Sequence, residues 1–294
     1  MKNPLFASLK FILNVIPAKA LEFIYTTILK PKLFRVITNF FLSFLIKEKT
    51  EIPEGFVALN KKDHAISGAM TLGVYEKNES RFLREKIKEE MIVIDIGANV
   101  GYYTVIFAKL VGLYGRVISF EPEPENFYFL KKTIELNKFN NIELYDFAIS
   151  NKIGKGKLFL CENNKGDHRI YNPDNTRKSI DISITTLDSF LEEKKINNVD
   201  LIKMDIQGAE GLALNGMKNT LTQNKKISLM IEFWPQGLLK SGTEPISLLN
   251  ELKRFGFKIF DIGEDPKKLS LVSDFEFLIK KHSGRKYANL YCEK

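Results

Sequence analysis

The sequence predicts an α/β fold with a mainly parallel sheet, helices on both faces and a helical extension at the N-terminus. From residue 91 onward, short apolar runs alternate with segments of about 10–15 residues that have helical spacing. Buried parallel strands have such continuous apolar runs, and right-handed crossovers join them. The residues before position 50 differ in composition, because they are both basic and strongly apolar.

The strands and helices of the predicted sheet domain follow one another over residues 91–294. Strands are predicted over 91–96, 116–120, 142–149, 199–206, 227–233, 257–262 and 288–292, with helices over 102–111 and 126–137 among the connections. The alternation is interrupted by two short strands, over 157–161 and 181–185, that flank the polar loop 162–179. We therefore predict one domain over 91–294 with an insertion at about 151–186, preceded by a lead-in segment over 51–90.

Composition excludes several classes of protein. The chain has 294 residues, of which 44% are hydrophobic and 27% are charged, as in ordinary globular proteins. A collagen, a disordered tail, a polytopic membrane protein and a small disulfide-knit protein are thereby excluded. Cys161 and Cys292 lie far apart and form neither a disulfide framework nor a metal-ligand pattern, which favours a reduced, cytoplasmic protein and predicts no metal.

Most of the net charge of +8 belongs to the first 49 residues, which carry eight basic and two acidic side chains. The rest of the chain is nearly balanced, so no nucleic-acid partner is expected. The longest uncharged runs, 11–18 and 36–46, are shorter than the about 20 residues that a spanning helix needs. Basic side chains among large apolar ones fit helices that lie in a membrane interface. We predict that residues 1–46 form either such helices, at the inner membrane face, or a helical lid packed on the body.

The strongest chemical signal is the glycine motif Asp95-Ile96-Gly97-Ala98-Asn99-Val100-Gly101, between the first strand of the domain and a helix. Open α/β sheets bind ligands at the carboxyl ends of strands, where glycines let the backbone approach the ligand. The motif lacks the middle glycine of G-x-G-x-x-G, which disfavours an NAD-dependent oxidoreductase. Glu121 ends the second strand, 24 residues after Gly97, and suits a carboxylate that binds both hydroxyls of a ribose. Together these features predict a nucleoside ligand.

These blocks resemble the class I S-adenosylmethionine-dependent methyltransferases, with their Rossmann-like sheet, and more closely the FkbM family. The resemblance covers about residues 65–262 and is carried by residues 93–104, 120–122, 186–188 and 202–210. One departure is Gln207, where the family often has Glu. The resemblance implies S-adenosylmethionine as cofactor and, together with the basic apolar N-terminus, O-methylation of a hydroxyl on a sugar, glycan or glycolipid. A non-catalytic nucleoside-binding or membrane-scaffold protein is the alternative from another class.

The resemblance also implies which residues hold the cofactor. Asp95, Gly97 and Asn99 would surround its methionine end, and Glu121 would hold the ribose. Asp146 and Ala148, at the end of the third strand, would border the adenine. The other expected contacts come from the same motif blocks: Ala98, Gly101, Tyr103, Thr104 and Pro122.

A hydroxyl acceptor must lose its proton during methyl transfer, so a base is expected nearby. Asp205, at the end of the fourth strand, is the leading candidate, and a structural carboxylate is its alternative. His168, in the inserted loop, is the second candidate, because histidine titrates near neutral pH. Glu210 and Glu232 are further candidates, with helix-terminus stabilisation and packing, respectively, as their structural alternatives.

Overall fold

The computed structural model describes residues 44–162, 164–172, 175–263, 265 and 267–294. Its strands are β1 (Lys49–Ile52), β2 (Gly55–Ala58), β3 (Ile92–Ile96), β4 (Arg116–Phe120), β5 (Ile142–Tyr145), β6 (Phe147–Ile149), β7 (Gly154–Phe159), β8 (Ser179–Thr185), β9 (Leu201–Met204), β10 (Ser228–Phe233), β11 (Lys258–Asp261), β12 (Ser270–Leu271) and β13 (Ala288–Glu293). Its helices are α1 (Ile66–Thr71), α2 (Lys77–Lys86), α3 (Tyr102–Val111), α4 (Pro124–Asn137), α5 (Leu187–Glu193), α6 (Glu210–Asn215), α7 (Lys218–Gln223), α8 (Pro235–Lys240), α9 (Pro245–Arg254) and α10 (Phe275–Lys281).

The centre of the fold is an eight-stranded sheet in the order β12-β11-β13-β10-β9-β3-β4-β5. The strands from β10 to β5 are parallel to one another, whereas β13 is antiparallel to both of its neighbours. The chain runs outward from β3 to β5 and later returns to β9, so the strand order reverses between β3 and β9. Ligands bind in open α/β sheets at such a reversal, beyond the carboxyl ends of the strands. The predicted mainly parallel sheet is confirmed.

Helices cover both faces of this sheet, so successive residues of β3 pack into two different hydrophobic cores. Ile94 belongs to a core cluster with residues of α5 to α10, and Val93 belongs to a second cluster with residues of α3. Both side chains are fully buried. Burial of such a side chain contributes about 1.5–3 kcal/mol, so the apolar runs of the parallel strands stabilise both layers.

The prediction of a single strand over 142–149 is wrong. The strand ends at Tyr145, the next residue is exposed, and β6 leaves the main sheet to pair with β8 in a separate sheet of order β6-β8-β7. Phe147 packs against Phe120 and Phe190, at 5.6 and 6.0 Å between ring centroids, which anchors the chain where it changes sheet. The two predicted strands of the insertion are confirmed as the antiparallel pair β7–β8.

Residues 44–90 pack on the domain. In the β1–β2 hairpin, the backbone N–H of Phe56 donates to Asn137 Oδ1 at 2.7 Å and that of Ala58 donates to Thr133 Oγ1 at 2.9 Å. Leu45 and Ile46 are buried, so the last residues of the predicted 1–46 segment belong to the body of the protein. The helices predicted for residues 1–43 lie outside the described residues. In the part that is described, no helix has the length and apolar character needed to cross a membrane.

Candidate active site

A cavity of about 690 Å³ opens beyond the carboxyl ends of β3, β4, β9 and β10. Its volume lies in the range of about 300–1,000 Å³ that is usual for small-molecule sites. The β3–α3 turn and the end of β4 form one half of its wall, and the residues after β9 and β10 form the other. The inserted segment between β7 and β8 also contributes to the wall, so of the motif blocks noted in the sequence only 186–188 does not reach the cavity.

The β3–α3 turn passes close to the residue that follows β9, and this approach requires glycine. Gly97 has a φ of 83°, and a Cβ at this position would lie 2.2 Å from the carbonyl oxygen of Asp205. A side chain would therefore force apart the two strand ends that frame the cavity. The same turn places Ala98 and Asn99 in the cavity wall.

The carboxylate of Glu121 is held in the wall by two backbone donors. Its Oε2 accepts from the N–H of Asn99 at 2.8 Å, and its Oε1 accepts from the N–H of Glu123 at 2.9 Å. Burial raises the pKa of Glu121 to about 7, although the two backbone hydrogen bonds oppose this shift. Each carboxylate oxygen has more than one lone pair, so both can still accept a hydrogen bond from a ligand hydroxyl.

Apolar residues and one unpartnered oxygen lie near Glu121. Phe147, Ala148 and Ile149 line this half of the cavity and offer a surface for a flat base. Asn126 donates from Nδ2 to the carbonyl of Lys165 at 3.0 Å, but its buried Oδ1 has no hydrogen-bond partner among the described residues. A carboxylate for ribose hydroxyls, an apolar surface for the base and a free acceptor for its polar edge fit S-adenosylmethionine.

The predicted cofactor contacts divide into two groups. Seven of them line the cavity: Gly97, Ala98, Asn99, Tyr103, Glu121, Pro122 and Ala148. Four do not: Asp95, Gly101, Thr104 and Asp146. Asp95 is fully buried and accepts from Thr104 Oγ1 at 2.8 Å, so these two residues support the turn from behind. Asp146 is exposed at the break between β5 and β6.

The other half of the cavity contains carboxylates around the buried Lys203 of β9. Lys203 Nζ lies 3.6 Å from Asp95 Oδ1 and 3.9 Å from Asp205 Oδ2. Burial lowers the pKa of Lys203, but these two carboxylates outweigh burial and raise it overall. Gln207, the departure from the family pattern, donates from Nε2 to Asp205 Oδ1 at 2.8 Å and to Glu232 Oε2 at 3.0 Å. The amide therefore links two of the predicted catalytic residues.

Glu76 is a third carboxyl group of this half, and no motif in the sequence points to it. Its Oε2 accepts a hydrogen bond from Tyr103 Oη at 2.8 Å, and it lines the cavity just before α2. Burial, followed by the charges of Glu79 and Asp205, raises the pKa of Glu76 to about 8. Burial and the charge of Asp205 likewise raise the pKa of Glu232 well above its usual range. Glu76 is therefore largely protonated near neutral pH.

His168 lines the cavity, but its ring is not arranged as a base. Its Nδ1 accepts from the backbone N–H of Cys161 at 3.0 Å, so the proton of the neutral ring is on Nε2. Burial, followed by the charge of Lys165, lowers the pKa of His168 to about 4. The ring is therefore neutral near pH 7, and its buried Nε2 has no hydrogen-bond partner among the described residues.

Glu210 does not line the cavity. Its Oε1 accepts from the backbone N–H groups of Ile206 and Gly208, at 3.1 and 3.2 Å, and the residue is fully buried. These contacts correspond to the structural alternative for Glu210, because they fix the loop that follows Asp205. Within the described ranges, no group of three or more His, Cys, Asp or Glu side chains could hold a metal ion.

Comparison with known proteins identifies a family model and several relatives that match this chain. Residues 95–259 match the model of the methyltransferase FkbM domain. The 2-O-methyltransferase NoeI of Sinorhizobium fredii is 30% identical over 156 residues, which cover 48% of this chain and 63% of that protein. The hexuronic acid methyltransferase AglP of Haloferax volcanii is 26% identical over 149 residues, covering 50% of this chain and 58% of that protein.

A third curated relative, Methyltransferase 1 of Beauveria bassiana, is 23% identical over 148 residues, covering 44% of this chain and 59% of that protein. The chain thus spans about three fifths of the length of the curated relatives it matches. Among solved structures, the methyltransferase FkbM of Methylobacillus flagellatus aligns with a TM-score of 0.42 and 14% identity, over 89% of this chain and 60% of that chain.

Proposed function

The chain belongs to the FkbM family of methyltransferases, and from this premise we propose that it methylates a hydroxyl group of a sugar, glycan or glycolipid with S-adenosylmethionine as donor. One observation carries the proposal: a single cavity joins the Glu121 half, which fits a nucleoside, to the Asp205–Gln207–Glu232 group. The names of two relatives, a 2-O-methyltransferase and a hexuronic acid methyltransferase, support a sugar acceptor. The family assignment also favours methyl transfer over the nicotinamide alternative.

The cofactor-binding residues act mainly by alignment. Bound S-adenosylmethionine supplies a methyl group on a positively charged sulfur, which is already a good leaving group. Glu121 would accept the ribose hydroxyls, and the glycine turn would let the backbone approach the ligand. Because a displacement requires the attacking oxygen, the methyl carbon and the sulfur to lie in line, holding both reactants in one cavity supplies much of the rate.

Asp205 is the residue that we propose as the base. The acceptor oxygen forms a bond to the methyl carbon, the carbon–sulfur bond breaks with its electron pair left on sulfur, and the hydroxyl proton passes to Asp205. Lys203 and Gln207 contact the Asp205 carboxylate and keep it oriented. Glu232, held by the same Gln207, would contact the acceptor beside the reacting hydroxyl.

Transfer of labelled methyl groups tests this function. The full-length protein is incubated with methyl-labelled S-adenosylmethionine and lipid, polysaccharide, protein or small-molecule fractions of a lysate, and the product is identified by mass spectrometry. We expect an O-methyl sugar in a polysaccharide or lipid fraction, and no such product with Asp205→Asn. Calorimetric binding of NAD but not of S-adenosylmethionine would contradict the proposal, and so would methylation confined to protein.

A further inference from the structure

The mouth of the cavity contains two basic side chains that the proposed chemistry does not use. Arg285, in the loop before β13, and Lys240, at the end of α8, are exposed and line the cavity. Neither forms an ion pair or a hydrogen bond with any residue that the structure describes. Charged groups with no protein partner at the mouth of a binding cavity are available to a ligand.

Trp234 fixes the elements that carry these two side chains. Its indole Nε1 donates to the carbonyl of Gly284 at 2.9 Å, which anchors the loop that continues to Arg285. A Cβ on Gly237 would lie 2.2 Å from Trp234 Cε3, so the ring packs directly on the backbone of α8, the helix that ends at Lys240. The positions of both cations at the mouth are therefore set by one aromatic ring.

Two further cations line the cavity, and they share one carboxylate. Arg169 lies over the Trp234 ring, with its guanidinium carbon 4.6 Å from the ring centroid, and it pairs with Asp167 Oδ1 at 2.6 Å. Arg177 pairs with Oδ2 of the same carboxylate, also at 2.6 Å. Two guanidinium groups on one carboxylate leave one positive charge, so the wall of the mouth is positive even before Arg285 and Lys240 are counted.

The loop that carries Arg285 extends from the positive mouth to the acidic half of the cavity. Tyr287 belongs to this loop and lines the cavity. Burial, followed by the charges of Glu76 and Glu232, raises the pKa of the Tyr287 hydroxyl. Positive charge at the mouth and carboxyl groups in the interior thus line one cavity, and they would orient an acceptor that carries a negative charge at one end.

We propose that the acceptor carries an anionic group, a carboxylate or a phosphate, which Arg285 and Lys240 bind while the hydroxyl to be methylated lies at Asp205. The inference rests on the proposed function and specifies its substrate class. A guanidinium forms two parallel hydrogen bonds with a carboxylate or a phosphate, which fixes orientation as well as affinity. The carboxylate of Asp205, in the interior, would repel the same group and would disfavour binding in the opposite orientation.

Calorimetry with the full-length protein, saturated with S-adenosylhomocysteine, tests the proposal. The probes are glucuronate, glucose 6-phosphate and glucose, which separate a carboxylate source from a phosphate source and both from a neutral sugar. We expect at least one anionic sugar to bind about tenfold more tightly than glucose, corresponding to about 1.4 kcal/mol. The double variant Arg285→Gln/Lys240→Gln should lose this preference, whereas Arg254→Gln/Lys253→Gln, on the exposed surface of α9 away from the cavity, should keep it.

Equal affinities for the three sugars, or no binding of either anionic sugar, would overturn the proposal. It would also be overturned if the Arg285/Lys240 variant kept the preference, or if that variant weakened S-adenosylhomocysteine binding by the same factor, since the two cations would then hold the carboxylate of the cofactor. Failure of the proposed function has a different signature, because the wild-type protein would then bind NAD instead of S-adenosylhomocysteine, or would transfer methyl groups to protein alone.

Discussion

The carboxylate of Glu121 accepts a hydrogen bond from the backbone N–H of Asn99, with 2.8 Å between Oε2 and the nitrogen. This contact joins the end of β4 to the turn after β3, so one side chain both closes the turn and faces the cavity. A carboxylate in this position has its lone pairs divided between the protein and a ligand. Its removal is therefore expected to affect ligand affinity and local stability together.

Glu121→Gln should weaken S-adenosylmethionine binding by about 1.5–3 kcal/mol, the range for hydrogen bonds to a charged group. Glutamine keeps the size of the side chain but replaces one acceptor oxygen with a donor. Isothermal titration measures the change, and Glu135→Gln on the exposed surface of α4 is the matched control. An unchanged affinity in a folded Glu121→Gln protein would remove this residue from the site.

The affinity for S-adenosylmethionine should also depend on pH through Glu121. Because burial raises the pKa of this residue to about 7, its carboxylate gains a proton as the pH falls through that value. Binding should weaken from about pH 8 to about pH 6, since the protonated form accepts fewer hydrogen bonds. The dependence should be much smaller in Glu121→Gln, and an identical pH profile in both proteins would assign the titration to another group.

The sequence predicted the centre of the fold closely. The helix predicted over 102–111 and the strand over 116–120 have the observed bounds of α3 and β4. Buried parallel strands and their flanking helices are specified by local apolar runs, and the glycine motif marks the end of β3. Glu121 was found for the same reason, because its place is fixed by the end of a strand.

Features that depend on distant contacts were not predictable in this way. Residues 142–149 were predicted as one strand, but the strand breaks at Asp146 because Phe147 packs in a cluster built by remote residues. Glu76 lies in a polar segment without a motif and reaches the cavity because Tyr103 contacts it. Glu210 follows the expected spacing, yet its side chain turns towards backbone donors, which a sequence pattern cannot show.

Glu210→Ala should destabilise the protein by about 1–3 kcal/mol, because it leaves the buried N–H groups of Ile206 and Gly208 without their acceptor. Glu210→Gln should cost less, since its amide oxygen can still accept. Urea unfolding measures both changes. If Glu210 instead transferred a proton in the reaction, both variants would keep the stability of the wild-type protein and both would lose activity.

The free protein should lose stability as the pH rises from about 5 to about 8. Burial raises the pKa of Glu76 to about 8 and that of Glu210 to about 7, so the folded state holds protons that the unfolded chain releases. Stability from this source is complete below the unfolded pKa of about 4.3 and is lost as the pH passes the folded values. Thermal unfolding should show a lower Tm at pH 8 than at pH 5, with a smaller difference in Glu76→Gln. A Tm that rises over this interval would contradict the burial of these carboxyl groups.

Removal of residues 1–43 should leave S-adenosylmethionine binding intact and reduce co-sedimentation with anionic liposomes. Basic residues near such a surface contribute about 1 kcal/mol each, and salt should screen the effect. The truncation ends before residue 44 because Leu45 and Ile46 are buried in the body. If the full-length protein does not bind anionic liposomes at low salt, the interfacial prediction is wrong and a lid packed on the body is favoured.

Replacement of the base should abolish turnover without affecting cofactor affinity. Asp205→Asn should lower kcat by about 10²–10⁴-fold, the usual contribution of a general base, while the Kd for S-adenosylmethionine stays within a few-fold of wild type. His168→Ala should lose much less, because the Nδ1 lone pair is already engaged by Cys161 and the ring is neutral near pH 7. Single-turnover methyl transfer, with the Kd measured separately, distinguishes chemistry from binding.

The pH profile of the wild-type enzyme, compared with the profiles of these variants, also identifies the base. A histidine base would make kcat/KM rise with pH through an apparent pKa near its usual value of about 6.5, whereas an aspartate base would place that rise lower. The low pKa of His168, about 4, would move a histidine-dependent rise downward, so the profile must be compared between wild type and His168→Ala. The proton is assigned to Asp205 if the rise persists in His168→Ala and disappears from the residual activity of Asp205→Asn.

If Asp205→Asn stays within a few-fold of wild type while His168→Ala is inactive, the assignment is reversed. If both variants remain active, Glu232 or alignment alone carries the reaction.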